Sequence, residues 1–172
     1  MWKMIGSILV LTATSGAGFL YGMEQQDYLE KLLYIRHIIY MLKGELEYTK
    51  APLGEVFGRA AVRAREPYRG WLHGLERQGE RRKEDEFFKI WMRSIDRDLH
   101  TLHLKSEHVI QLKELGSCLG RMDSTSESLH LKLYVERLEQ EIEKVRESLS
   151  AKKRIGNCLG VMGGIFLIVI LI

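Results

Sequence analysis

The chain has 172 residues, 45% of them hydrophobic and 28% charged, which is enough for one folded domain and too apolar for a disordered chain. The formal net charge is only +3, and the tract Arg81-Arg82-Lys83 is followed at once by Glu84-Asp85-Glu86, so the basic stripe that nucleic-acid binders carry is missing and no nucleic-acid partner is expected. Two cysteines, Cys118 and Cys158, set no disulfide framework and suit a domain facing the cytosol.

Residues 4–23 carry no charge and follow Lys3. A run of about 20 apolar residues is long enough to span a bilayer as a helix. It passes without a break into a helical pattern, which favours a retained anchor over a cleaved signal peptide. Thr14, Gly18 and Gly22 are spaced so that small residues share one helix face, where helices pack closely in lipid.

The spacing then predicts a helix over residues 24–49. Tyr28, Leu32, Ile35, Ile39, Leu42 and Leu46 form a coiled-coil-like seam. Tyr34, Ile38, Met41 and Tyr48 add a second apolar strip, and Arg36, Lys43, Glu47 and Lys50 a polar stripe. A helix apolar on two sides packs against more than one neighbour.

Four shorter helices follow. One opens at Pro52 and presents Leu53, Val56, Phe57, Ala60 and Ala61. The next starts near Pro67 with Tyr68, Trp71, Leu72 and Leu75. A third covers residues 85–104 with Phe88, Trp91, Ile95, Leu99 and Leu102. The fourth follows Ser106 with Val109, Leu112, Leu115 and Leu119, and Gly120 is its expected stop. No alternating β-branched run argues for a strand.

Ser124-Thr125-Ser126-Glu127 fits a capping box and opens a last long helix, residues 124–154. Its seam is Leu131, Val135, Leu138, Ile142, Val145 and Leu149. Lys152-Lys153-Arg154 then precedes a second uncharged run, residues 155–172, with Gly156, Gly160 and Gly164 on one face. By the positive-inside rule the basic cluster stays in the cytosol, and the middle, residues 24–154, with it. The expected architecture is all-α: a cytosolic bundle of about six helices between an N-terminal and a C-terminal transmembrane helix.

Chemistry is sparse. There is no GxxxxGK[ST] phosphate loop, no HExxH and no CxxC. His100 and His103 stand three apart on an expected helix, with His108 beyond, and such a pair can hold a metal. No third ligand is evident on that face, and exposed histidines explain the pair more simply. No catalytic, cofactor-binding or metal-binding residue is therefore assigned, and the chain is not expected to be an enzyme. Candidate docking residues are Arg121 and Asp123, in the short turn between Gly120 and Ser124; the plainer role for Asp123 is to assist the helix cap.

Three stretches carry a resemblance. Leu46-Glu47-Tyr48-Thr49-Lys50-Ala51-Pro52-Leu53, Leu119-Gly120-Arg121-Met122-Asp123 and Leu159-Gly160-Val161-Met162-Gly163-Gly164, in that order, resemble the stage III sporulation protein AB family of endospore-forming bacteria, over the whole length. Gly54 departs from a second proline usual in the family, Met122 from a small hydroxyl residue, and residues 63–86 match loosely. That family is similar to the F-type platform proteins of type II secretion and type IV pilus machines. The resemblance implies a membrane platform in a channel-like complex between mother cell and forespore. Its partners would be the other stage III channel subunits, a cytosolic secretion-type ATPase (stage III sporulation protein AA) and the membrane, with self-association into a homo-oligomer open. Two other classes stay in view: a membrane-anchored enzyme with a histidine metal site, and a coiled-coil signalling module, which lacks an effector motif.

Overall fold

The computed structural model describes the backbone of residues 2–49, 51–79, 84–119 and 124–171, and the side chains of residues 23, 25–49, 51–78, 87–119 and 128–151. Among the described residues there are six α-helices, one 3-10 turn and no strand. They are α1 (Trp2–Thr49), α2 (Leu53–Arg63), α3 (Tyr68–Gly79), α4 (Glu84–Asp98), the 3-10 turn His100–Leu102, α5 (Ser106–Leu115) and α6 (Ser124–Leu171). The chain divides into two compact units, Met1–Lys31 with Glu141–Ile172, and Leu32–Gln140.

In the first unit Tyr28 on α1 and Ile142 and Val145 on α6 are buried, and Lys31 pairs with Asp27 one turn away at 2.6 Å. The uncharged runs 4–23 and 155–172 lie on α1 and α6, but apart from Met23, which is exposed, their side chains fall outside the described residues. Among the described residues no helix is long and apolar enough to cross a membrane.

The second unit is a bundle around one core. Leu32, Ile35, Ile39, Leu42 and Leu46 of α1 are buried, as are Leu131, Val135 and Leu138 of α6, so both seams face inward as their spacing requires. The two helices run antiparallel: Arg36 meets Glu139 and Glu47 meets Ser128, so numbers rise along one helix as they fall along the other. α2 folds back along α1, with Arg59 and Arg63 beside Glu45 and Arg65 beside Tyr34.

Aromatic rings fill the space between α2, α3 and α4. Trp91 is fully buried and lies 5.1 Å from Trp71, 6.1 Å from Phe57 and 6.2 Å from Phe87, centroid to centroid. Both indoles satisfy their N–H groups, as buried tryptophans must. Trp91 donates to the Leu112 carbonyl at 2.8 Å, and Trp71 to the Ser94 hydroxyl at 2.9 Å, which in turn donates to the Trp91 carbonyl at 2.7 Å. Ser94 is thus a polar residue that the core holds at no unpaired cost.

Several expectations shift. The helix expected over 85–104 ends at Asp98; the 3-10 turn follows, and His103, with φ 48, leaves the right-handed region and stops it. Phe87 and Ile90, rather than Phe88, face the core, because Phe87 reaches the Phe57 ring, stacked at 6.0 Å. On α5 the buried face is His108, Leu112 and Leu115, and Val109 is only half-buried. The helix ends at Leu115, so Leu119 reaches the core from the following turn and does not share the helix's spacing. Of the second strip on α1, Ile38 is buried and Tyr34 and Met41 are half-buried, but Tyr48 is 90% exposed: it sits in the last turn, where no neighbouring element covers that side. Leu149 is half-buried.

Candidate interaction surface

A polar strip joins α1 to α6 along one flank of the bundle. Arg36 and Tyr40 both reach Glu139, the guanidinium at 3.5 Å and the phenol donating at 3.1 Å. One turn on, Lys43 pairs with Glu47 at 2.7 Å, and Ser128 donates to the same carboxylate at 2.6 Å. The α1 members follow helical spacing, which places them in one row beside the apolar seam. Partial burial, then the acceptor Glu139, hold the Tyr40 phenol above its ordinary pKa. The bonds from Lys43 and then Ser128 hold the Glu47 carboxyl below its ordinary range.

The depressed Glu47 value fixes a sign. Its contribution to stability is complete above the ordinary carboxylate range and is lost as pH falls through the lower folded-state value. Wild type should therefore melt above Glu47→Gln at pH 7, and the gap should close as the pH falls toward 3. A gap that stays constant with pH would show that the charge of Glu47 contributes nothing.

A second cluster ties α1 to α2. Glu45, with only 17% of its side chain exposed, accepts from Arg63 and lies 3.5 Å from Arg59, which also holds Glu55 at 2.6 Å. Arg65 stacks 4.2 Å above the Tyr34 ring, and its backbone N–H donates to the Tyr34 hydroxyl at 2.7 Å. These contacts fix the α1–α2 corner, whereas α1 and α6 display Tyr40, Tyr48, Leu129 and Leu133 to solvent.

The candidate docking residues Arg121 and Asp123 lie outside the described residues, as does the side-chain chemistry of the capping box. Gly18 and Gly22 fall on α1 and Gly156, Gly160 and Gly164 on α6, and their surroundings are likewise outside the described residues. The histidines are not brought together. His100 and His103 are exposed, His100 donating from Nδ1 to the Arg97 carbonyl at 2.8 Å, whereas His108 is buried on α5. Among the described residues no group of three or more His, Cys, Asp or Glu side chains could hold a metal.

Two features went unread in the sequence: the outward pair Leu129 and Leu133 on α6, and the exposure of Tyr48. The signal for the first was there, since apolar residues four apart on the side opposite the seam are not needed by the core.

Fold and surface together define a helical bundle that displays charged, aromatic and apolar groups outside a filled core. The chain belongs to the stage III sporulation protein AB family, whose model matches residues 3–172, and its role is thereby a sporulation role. It is 24% identical over 171 residues to stage III sporulation protein AB of Bacillus subtilis (strain 168), with 99% of each chain covered. The solved structure of a stage III sporulation protein AB (SpoIIIAB) shares the fold, at a TM-score of 0.61 and 21% identity, over 72% of this chain and 97% of that one.

Proposed function

We propose that the chain is a non-enzymatic platform subunit, anchored in the mother-cell membrane facing the forespore by residues 4–23 and 155–172, with its bundle in the cytosol. In this reading it scaffolds a secretion-like channel and docks a cytosolic ATPase. Arg121 and Asp123 are its candidate contacts to partners, and Gly18, Gly22, Gly156, Gly160 and Gly164 its candidate packing positions in the membrane.

The observation that carries the reading is the course of α1 and α6. They run antiparallel in the bundle, and each of the two helices carries one of the uncharged runs, residues 4–23 on α1 and 155–172 on α6. Two helices that each bear an uncharged run suit a domain held beside a membrane. Without a phosphate loop the chain needs a partner for any work driven by nucleotide hydrolysis.

The test is co-purification of the sporulation ATPase with the full chain from sporulating cells, for wild type and Arg121→Glu. The substituted chain should melt as wild type does, remain in membranes through an alkaline wash, and lose most of the ATPase and most of the spore yield. Normal ATPase recovery and normal spore yield would remove the docking role from Arg121 and leave Asp123 as a helix cap. A chain released by the wash would overturn the anchors.

A further inference from the structure

Gly44 has no structural reason inside its own bundle. A glycine within a helix costs about 0.5–1 kcal/mol relative to alanine, and a Cβ at Gly44 would meet nothing within 4 Å. Tyr40 and Tyr48 stand one turn either side of it, 48% and 90% exposed. Across the flank α6 presents Leu129 and Leu133, each 53% exposed.

These residues share one side of the bundle and one register. The contacts of Arg36 and Tyr40 with Glu139 and of Glu47 with Ser128 mark the flank where α1 and α6 meet. At 3.6 residues per turn, Gly44 and Tyr48 lie further round α1, and Leu129 and Leu133 further round α6, on that same flank. Arg36 faces Glu139 and Glu47 faces Ser128, so Gly44 is level with Leu131, Leu129 with Leu46 and Leu133 with Leu42. Along the helix direction the leucines therefore fall between the α1 positions: Leu133 between Tyr40 and Gly44, and Leu129 between Gly44 and Tyr48.

We propose that this flank is the interface with a second copy of the same chain, related by a two-fold axis parallel to the helices. Such an axis lays α6 of one copy over α1 of the other at equal height. Leu133 and Leu129 of each copy then enter the two gaps that Tyr40, Gly44 and Tyr48 leave on the other, and the open space over Gly44 admits the close approach. One operation makes both contacts, as an isologous interface requires. One charged contact agrees: Glu136, with 54% of its side chain exposed, comes level with Ile39, about 3 Å along the helix direction from His37 and about 4.5 Å from Arg36. A two-fold axis across the helices would instead set Leu129 on Leu133 and Tyr40 on Tyr48, side chain against side chain. It would also point the two copies' α1 N-termini in opposite directions. The choice against it rests in part on the proposed anchoring of both copies in one membrane.

Directed disulfide formation tests the pairing. Full chains with Cys118→Ser and Cys158→Ser, in two differently tagged populations, carry Tyr48→Cys in one and Leu129→Cys in the other. The two positions lie about 3 Å apart along the helix direction in the proposed pair, two residues at 1.5 Å each. Mild oxidation should join the populations at least tenfold more than it joins either to a Val62→Cys control, a residue 74% exposed on α2. Adding Gly44→Trp should abolish the link and leave thermal unfolding unchanged. Linkage at the control level, as when a different protein or none covers the face, would overturn the proposal. So would efficient linkage of Leu129→Cys to Leu133→Cys, the mark of opposed copies. Loss of the chain from membranes with the Tyr48–Leu129 link intact would strike at the anchors and leave the interface standing.

Discussion

Leu138→Asp will lower the stability of the bundle by roughly 4 kcal/mol, the largest loss expected of any single change on α6. Leu138 is 1% exposed and lies in the row Leu131, Val135, Leu138, which packs inward throughout the second unit. Removing the isobutyl group forfeits its burial and leaves a gap, and the carboxylate that replaces it has no partner among the leucines and isoleucines of the seam. At ~2–4 °C per kcal/mol for a chain of this size, the melting temperature should fall by roughly 10 °C. The loss also has a pH signature. The apolar site raises the pKa of the introduced carboxyl, so below that value it is neutral and part of the penalty disappears. Melting curves at pH 7 and about pH 4 should show the deficit shrinking in acid. A drop of only a degree or two at pH 7 would mean that the seam is not the core.

The two long seams were legible because nothing interrupts them. Tyr28 to Leu46 and Leu131 to Val145 keep one helical spacing over many turns, and every residue of both seams up to Val145 is buried. Short helices carry less of this signal. On α5 the spacing can be drawn through Val109 or through His108, and only the end of the helix at Leu115 decides between them. Phe87 and Phe88 are adjacent, and the choice depends on where Phe57 lies, a fact of tertiary packing. The break at His103 depends on one backbone angle that histidine rarely adopts, which composition does not announce. The flank that carries the proposed interface was half legible. Lys43 and Glu47 stood out as members of a polar stripe, but their pairing and the register of α1 against α6 exist only once the chain is folded. Without that register, Tyr40, Gly44 and Tyr48 have no relation to Leu129 and Leu133.

Gly116→Ala will cost about 3 kcal/mol, although it adds a single methyl group. The backbone does not forbid it: φ at Gly116 is −62, a value open to every residue. The obstacle is the Trp91 indole, whose Cδ1 edge occupies the position a Cβ would take. Trp91 has nowhere to retreat. It is fully buried, its N–H is bound to the Leu112 carbonyl at 2.8 Å, and Phe57, Trp71 and Phe87 surround its ring. Moving it breaks that bond and disturbs three rings, and overpacking of this kind costs about 1–3 kcal/mol before the stranded carbonyl is counted. The decisive measurement is a double-mutant cycle. Trp91→Ala removes the Cγ, Cδ1 and Nε1 atoms that meet the new methyl, so Gly116→Ala in that background should cost less than half of what it costs in wild type. Equal costs in the two backgrounds would show that the glycine serves some other purpose than making room for Trp91.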